Sequence, residues 1–302
     1  MKSSKPYLYI IVTFFVALFI SPCELQAGKD VKITILFTND THSRIEAFPN
    51  NDTKFPGLGG YARRAALIKK IRQQEPHVLL FDAGDVFQGT PYFNFFGGEL
   101  EFKLMSLMGY TAMNIGNHDF DAGLDGLLKQ LPNATFDIIS SNYDFSQTVL
   151  NNKIHPYKIY DVGGVKVGVF GLGVGLQGLV SLVNYGKTTY LDPASKAAEM
   201  AYLLKKEKKC DLVICLSHLG FSYEDNQISD VVLAKQSKNI DIIIGGHTHT
   251  FIDKPYIFKN SDNQDIVIGQ VGWGGVKLGR IDVYFSGSKG VKIAGLSSLE
   301  IF

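Results

Sequence analysis

At 302 residues, with 45% apolar and 12% aromatic side chains, the chain has the length of one large domain or two small ones, and its composition excludes a disordered protein. Its formal charge is +1 and no Lys/Arg run suggests a phosphate-backbone footprint, so nothing in its charge points to a nucleic-acid binder. It has three cysteines, none in a CxxC-type spacing, which leaves nitrogen and oxygen as the ligands of any metal site.

The first residues read as a targeting segment. Lys2 and Lys5 form a short basic region, Tyr7 to Ile20 is uncharged and apolar, and Ser21 to Ala27 is polar. The apolar run falls about six residues short of a membrane span. Ala27-Gly28 offers a small-residue cleavage point, so residues 1–27 are expected to be a secretory signal and 28–302 the mature domain. An uncleaved anchor is the alternative. Cys23 adds another, lipidation, although Pro22 fits poorly in the position before it; only that route would tie the mature chain to a membrane. The expected location is periplasmic or at the cell surface. Removing residues 1–27 takes Lys2, Lys5 and Glu24 from 30 basic and 29 acidic residues, leaving the chain near neutrality.

Apolar runs rich in β-branched residues mark buried strands. Ile33 to Phe37 is the first. Gly59 to Gln74 has helical apolar spacing through Tyr61, Ala65, Ile68 and Ile71, and Pro76 closes it. Val78 to Phe81 is a strand, Leu100 to Met108 a helix, Ala112 to Ile115 a strand, and Leu124 to Leu131 a helix ended by Pro132. Ile159 to Val162 pairs with Val165 to Gly171 across Gly163-Gly164. Asp192 caps a helix that has Pro193 in its first turn and runs to about Lys208. Leu212 to Leu216 is a strand. Cys210 and Cys215 flank it, roughly 16 Å apart along extended chain and too far apart to bridge; both read as buried apolar residues. Ser229 to Gln236 is a short helix and Ile240 to Ile244 a strand. The last sixty or so residues change character. Pro255 to Lys259, Asp265 to Gln270, Gly279 to Phe285 and Val291 to Ser297 read as strands with Gly and Asn turns and no helix between them. This suggests a second sheet packed on the first, with helices outside. No linker, repeat or low-complexity tract divides the chain, so one domain follows the signal.

Five of these strands end in residues that bind metals, and open α/β sheets form their sites beyond the carboxyl ends of strands. Asp40-Thr41-His42 follows the first strand. The Asp-x-His spacing at a strand end would put both side chains on one side, but alone it is as easily structural. Gly84-Asp85 also fits a helix N-cap. Gly116-Asn117-His118-Asp119-Phe120-Asp121 is more specific, because a turn explains Gly, Asn and Asp but not the His. Ser217-His218 alone is open between a core histidine and a ligand. Gly245-Gly246-His247-Thr248-His249 follows three isoleucines; its glycines let backbone approach closely, and its two histidines are spaced to point together. Gly173, Gly175 and Gly178 match a dinucleotide fingerprint after a strand. However, Leu179 to Tyr190 reads as irregular rather than as the required helix, and no acidic residue ends the next strand, so this stretch is expected to be a Gly-rich loop. Walker A and G-x-S-x-G sequences are absent.

In order, from about Lys32 to Phe285, these motifs resemble the calcineurin-like metallophosphoesterases, and within them the catalytic domain of the 5′-nucleotidase / UDP-sugar hydrolase family. The resemblance implies an α/β fold, a four-layer αββα sandwich of two mixed β-sheets flanked by helices. It implies two divalent metal ions, with Asp40, His42 and His249 holding the first, Asn117, His218 and His247 the second, and Asp85 bridging both. Such an oxygen and imidazole shell suits Zn, Mn or Fe(II). His118 is placed near the phosphate with Asp121 orienting its ring, and Asp119 aligns with no ligand. The implied chemistry is in-line attack of a metal-activated water on phosphorus, with His118 stabilising charge or protonating the leaving oxygen. The expected function is thus that of a secreted, 5′-nucleotidase-like phosphohydrolase acting on nucleotides or other phosphoesters. The alternatives are a different phosphoester or sulfur-ester hydrolase on the same scaffold, or a catalytically inactive metal-binding module. The retention of His118 and Asp121 argues against the last. The family carries a C-terminal domain whose aromatics stack the nucleobase, and this sequence stops at Phe302. The expectation is weak base selectivity, or recognition supplied by a separate chain.

Overall fold

A computed structural model describes residues 30–254, 256–286 and 290–302. The expected signal over 1–27, with Cys23, lies outside the described residues, as does Pro255.

In chain order the first half runs β1 (Val31–Thr38), α1 (Tyr61–Gln74), β2 (Val78–Asp82), α2 (Pro91–Phe96), α3 (Glu99–Met108), β3 (Ala112–Asn114), α4 (Gly123–Gln130), β4 (Asp137–Ile139) and β5 (Tyr143–Asp144). The second runs β6 (Tyr157–Val162), β7 (Val165–Gly173), α5 (Leu182–Tyr185), β8 (Thr189–Tyr190), α6 (Pro193–Tyr202), β9 (Leu212–His218), α7 (Asp230–Gln236), β10 (Ile242–Ile244), β11 (Tyr256–Lys259), β12 (Asp265–Gly269), β13 (Lys277–Ser286) and β14 (Gly290–Glu300). Two six-stranded sheets result, ordered β14-β13-β1-β2-β3-β4 and β11-β12-β10-β9-β7-β6. Each is mixed. β1 to β4 pair in parallel, as do β7, β9, β10 and β12, while β13, β14, β6 and β11 pair antiparallel at the margins.

The alternation of side chains along β1 and β2 builds the layers. Ile33, Ile35, Phe37, Leu79 and Phe81 face the second sheet and join Val167, Val169, Ile214 and Ile244 in one core. Leu36 and Leu80, on the opposite face, join Ile68 and Ile71 of α1 and Phe102 and Met105 of α3 in another. α6 and α7 cover the far face of the second sheet through Ala197, Met200, Leu233 and Ala234. The fold is therefore the expected four-layer αββα sandwich. Phe37 and Phe81 are fully buried between the sheets, and truncating either to Ala would cost about 3–5 kcal/mol.

Several expectations are corrected in detail. The last four strands do not form a separate sheet: β11 and β12 extend the sheet carrying β9 and β10, whereas β13 and β14 flank β1. The helix from Asp192 is α-helical to Tyr202 and continues as a π turn over Leu203–Glu207. The stretch read as irregular holds two short elements, α5 and β8, held by the Gly186 N–H to Leu182 carbonyl bond and by pairing of β8 with β5. The reading of Cys210 and Cys215, by contrast, stands unchanged: both are buried and free.

Candidate metal centre

All five motif loops leave the same end of the molecule, but from two sheets rather than one. β1, β2 and β3 deliver Asp40, Asp85 and Asn117; β9 and β10 deliver His218 and the His247/His249 pair. The facing sheets thus close the site from both sides, which a single sheet edge could not do.

Asp40 and His42 are not consecutive positions of one strand face. β1 ends at Thr38, and both residues have φ of 48°. Asp85 (φ 59°), His247 (φ 75°) and His249 (φ 53°) share this left-handed backbone. Non-glycine residues rarely adopt it, at a cost of order 1 kcal/mol or more each. Five such residues at one point are held there by surrounding bonds. The pairing of β1 with β2 continues into the loops, with the Asp40 N–H donating to the Gly84 carbonyl (2.9 Å) and the His42 N–H to the Asp85 carbonyl (3.0 Å). Gly84 (φ 98°) and Gly116 are required at the closest approach. A Cβ on Gly84 would lie 2.6 Å from the Gly116 nitrogen, and one on Gly116 would strike the Asp85 carboxylate. Asp85 is not the N-cap of the helix that follows it, since α2 starts after Thr90; its Oδ1 instead accepts the His118 N–H at 2.7 Å.

The ligand atoms fall into two groups. Asp40, His42 and His249 converge in one, and Asp85, His218 and His247 in the other. In the first, Nε2 of His42 lies 3.1 Å from Nε2 of His249, which lies 3.3 Å from Asp40 Oδ1. In the second, His218 Nε2 lies 3.0 Å from Asp85 Oδ2. Asn117 Oδ1 lies 2.9 Å from His247 Nδ1 and so joins this group. Asp85 Oδ2 is also 4.0 Å from His42 Nε2, placing its carboxylate between the two groups.

This donor set fits two divalent cations. The His218 Nδ1–H donates to the Ala83 carbonyl at 2.8 Å, which fixes the ring and leaves Nε2 as the free donor atom. That Nε2 is fully buried and faces the Asp85 carboxylate at 3.0 Å without well-aligned hydrogen-bond geometry, a position that a cation held by both would satisfy. Burial disfavours a charged imidazole here, yet the Asp85 and Asp40 carboxylates push His218 up to about 10. Burial and the positive His218 push His247 down to about 4. Burial would raise Asp85, but His218 and His42 beside it hold its carboxyl well below the usual range. The carboxylates thus demand positive charge at the centre. With no thiolate among the donors, the oxygen and imidazole shell matches Zn, Mn or Fe(II).

His118 stands beside both groups, its ring centroid 5.3 Å from that of His42. Its Nδ1–H donates to Asp121 Oδ2 at 2.8 Å, and this bond, with help from the Asp85 charge, raises its pKa despite partial burial. Two further residues organise the site, and the sequence reading gave neither a role. The Asp119 carboxylate accepts the N–H groups of Asp85, Val86, Phe87 and Gly116 at 2.8–3.2 Å. Asn39 donates to Asp40 Oδ2 and to the Gly272 carbonyl, both at 2.6 Å, and accepts the Val271 N–H. Asp119 stood inside a motif, but its partners are backbone groups, which leave no trace in residue identity. Asn39 had only its place beside Asp40 to mark it.

The calcineurin-like phosphoesterase family model matches residues 33–251. The chain belongs to that family. It is 35% identical over 304 residues to a snake venom 5′-nucleotidase of Gloydius brevicauda, covering 93% of this chain and 49% of that protein. It is 33% identical to the trifunctional nucleotide phosphoesterase protein YfkN of Bacillus subtilis (strain 168), covering 89% of this chain and 19% of the other. Among solved structures, the 5′-nucleotidase precursor of Thermus thermophilus superposes with a TM-score of 0.81 at 31% identity, covering 90% of this chain and 55% of that one. The chain thus spans about half the length of its venom relative.

Proposed function

We propose that this phosphoesterase is an exported two-metal phosphohydrolase that cleaves the phosphoester or pyrophosphate bonds of nucleotides, as a 5′-nucleotidase does. One observation supports the reading: two groups of candidate ligand atoms lie side by side, Asp85 belonging to one and reaching to 4.0 Å from His42 of the other, with the His118–Asp121 pair alongside. Asp40, His42 and His249 would hold one cation, Asn117, His218 and His247 the other, and Asp85 both. Bound there, two divalent cations supply Lewis acidity to the phosphoryl oxygens and make water nucleophilic at neutral pH.

The chain's own residues do the rest. The Asp119 clamp and the Asn39 bonds hold Asp85 and Asp40 before substrate arrives, so little reorganisation accompanies the reaction. Asp121 holds the His118 ring through Nδ1, which leaves the Nε2 proton for the leaving oxygen. Export accords with the signal read over residues 1–27 and with a venom protein among the relatives.

The test is hydrolysis of p-nitrophenyl phosphate, AMP, UDP-glucose, cyclic nucleotides and sugar phosphates by protein supplied with Mn, Zn or Mg. Turnover that a chelator abolishes and added metal restores is expected. Metal-replete protein inert on every ester would overturn the reading.

A further inference from the structure

A row of aromatic rings starts at the metal centre and leads away from it. The Trp273 indole lies nearly parallel to the His249 imidazole, at 19° with centroids 5.8 Å apart. Phe48 and Phe55 stand edge-on to the indole at 5.6 and 6.0 Å. Phe251 continues the row 5.7 Å beyond Phe55. Trp273, Phe55 and Phe251 belong to neither hydrophobic core. Phe251 is 36% exposed, and the other two are part-exposed.

The row is also built to hold its shape. Asp52 Oδ1 accepts the N–H groups of Lys54 and Phe55 at 2.9 and 2.7 Å. The Phe48 N–H donates to the Leu58 carbonyl at 2.8 Å, closing the loop that presents Phe55. Lys277, bonded to Asp253, sits with its Nζ 5.4 Å over the Phe251 ring. The rings therefore lose little entropy when a ligand joins them.

The position relative to the chemistry is specific. Asp40, Asp85 and His218 are buried, whereas the His249 side chain is 40% exposed and that of His118 is 36% exposed. The centre opens at these two residues, both edge-on to His42. A phosphoryl group seated between the two ligand groups would carry its organic substituent out through that opening. On the His249 side the substituent meets aromatic faces.

We propose that Trp273, Phe55 and Phe251 form the seat of the leaving group, and that it takes a planar ring carried on the phosphoester, a nucleobase or an aryl group. This rests on the phosphohydrolase reading above. Stacking accepts any base, because every base presents a π face. The seat would thus select nucleotides over sugar phosphates while discriminating little among bases.

Trp273 is the only tryptophan of the chain, so its fluorescence reports on this wall alone. In the metal-loaded full chain, AMP is expected to quench the emission saturably, and ribose 5-phosphate is not. Phe251→Ala and Phe251→Leu should each lower kcat/KM for AMP about tenfold more than for ribose 5-phosphate. The Leu variant keeps bulk and packing without the ring. Emission insensitive to AMP, or equal losses on the two esters, would overturn the seat while leaving phosphoester hydrolysis standing. AMP quenching without hydrolysis of either ester would support the seat and overturn the phosphohydrolase reading instead.

Discussion

The Asp119 carboxylate holds the backbone of Asp85 in place: its Oδ2 accepts the Asp85 N–H at 3.0 Å across 34 residues of sequence. Three more N–H groups, from Val86, Phe87 and Gly116, end on the same carboxylate. One side chain therefore ties the loop after β2 to the loop after β3, and those loops carry Asp85 and Asn117. Asp119→Ala would leave four N–H groups without their acceptor, at a cost of about 3 kcal/mol or more. We expect lower stability in urea and weaker binding of divalent cations. Asp119→Asn, which retains one carbonyl oxygen, should fall between. An Ala variant with wild-type stability and metal affinity would refute the clamp.

The proposed bridging role of Asp85 leads to a stoichiometric prediction. Its Oδ2 lies 3.0 Å from His218 Nε2 and 4.0 Å from His42 Nε2, so it reaches both ligand groups. Wild-type protein purified under metal-replete conditions should hold two equivalents of metal. Asp85→Asn should hold fewer and lose rate with them. Elemental analysis that finds one equivalent or less in the wild type would rule out the two-metal assignment.

These two residues also mark how far the sequence could be read. Asp85 could be picked out because a Gly-Asp after a buried strand is a recognisable pattern, and five such strand ends in order marked the candidate site that the fold brings together. The four layers were legible for a related reason: β2, β9 and β10 are near-continuous apolar runs and β1 is apolar from Ile33 to Phe37 apart from Thr34, as strands buried on both faces tend to be. Asp119 could be seen but not understood, since its acceptor role depends on where N–H groups from two loops meet. The left-handed backbone at Asp40 and His42 was not legible either; alternation in an extended strand was the simpler expectation, and the loop bonds to Gly84 and Asp85 override it. The division of the late strands between two sheets is decided by long-range pairing of Val31–Phe37 with β13, which local pattern does not encode. α2 and α5 are too short for periodicity to reveal.

The proposed role of His118 separates catalysis from metal binding. Its ring touches the first ligand group only edge-on through His42, and its Nδ1 is committed to Asp121. His118→Ala should keep the fold and both metal equivalents yet lose on the order of 10²–10⁴-fold in rate. Asp121→Ala should show a milder loss. Metal content measured alongside turnover checks this; a missing equivalent in the His118 variant would make it a ligand instead.

A buried carboxyl away from the ligands gives a prediction for stability against pH. Asp82, at the end of β2, is fully buried. Its Oδ1 accepts the Gly84 N–H at 2.8 Å, and Thr38 Oγ1 donates to its Oδ2 at 2.5 Å. Burial pushes its pKa from 3.8 up to about 7 against these bonds, and the Asp119 charge adds to the rise. The folded-state pKa is therefore above the unfolded one. Protonated Asp82 favours the folded state, fully so below the unfolded pKa, and that contribution fades as pH climbs from about 4 to about 7. The shift corresponds to roughly 4 kcal/mol. Asp82→Asn should remove this dependence, because a neutral amide can accept the Gly84 N–H and donate to Thr38 at any pH. Urea denaturation of both proteins between pH 5 and 8 is the check. The stability of the Asn variant relative to wild type should rise with pH up to about 7 and then level. A flat difference over that range would show that Asp82 is already ionised in the folded protein, held charged by the Gly84 and Thr38 bonds.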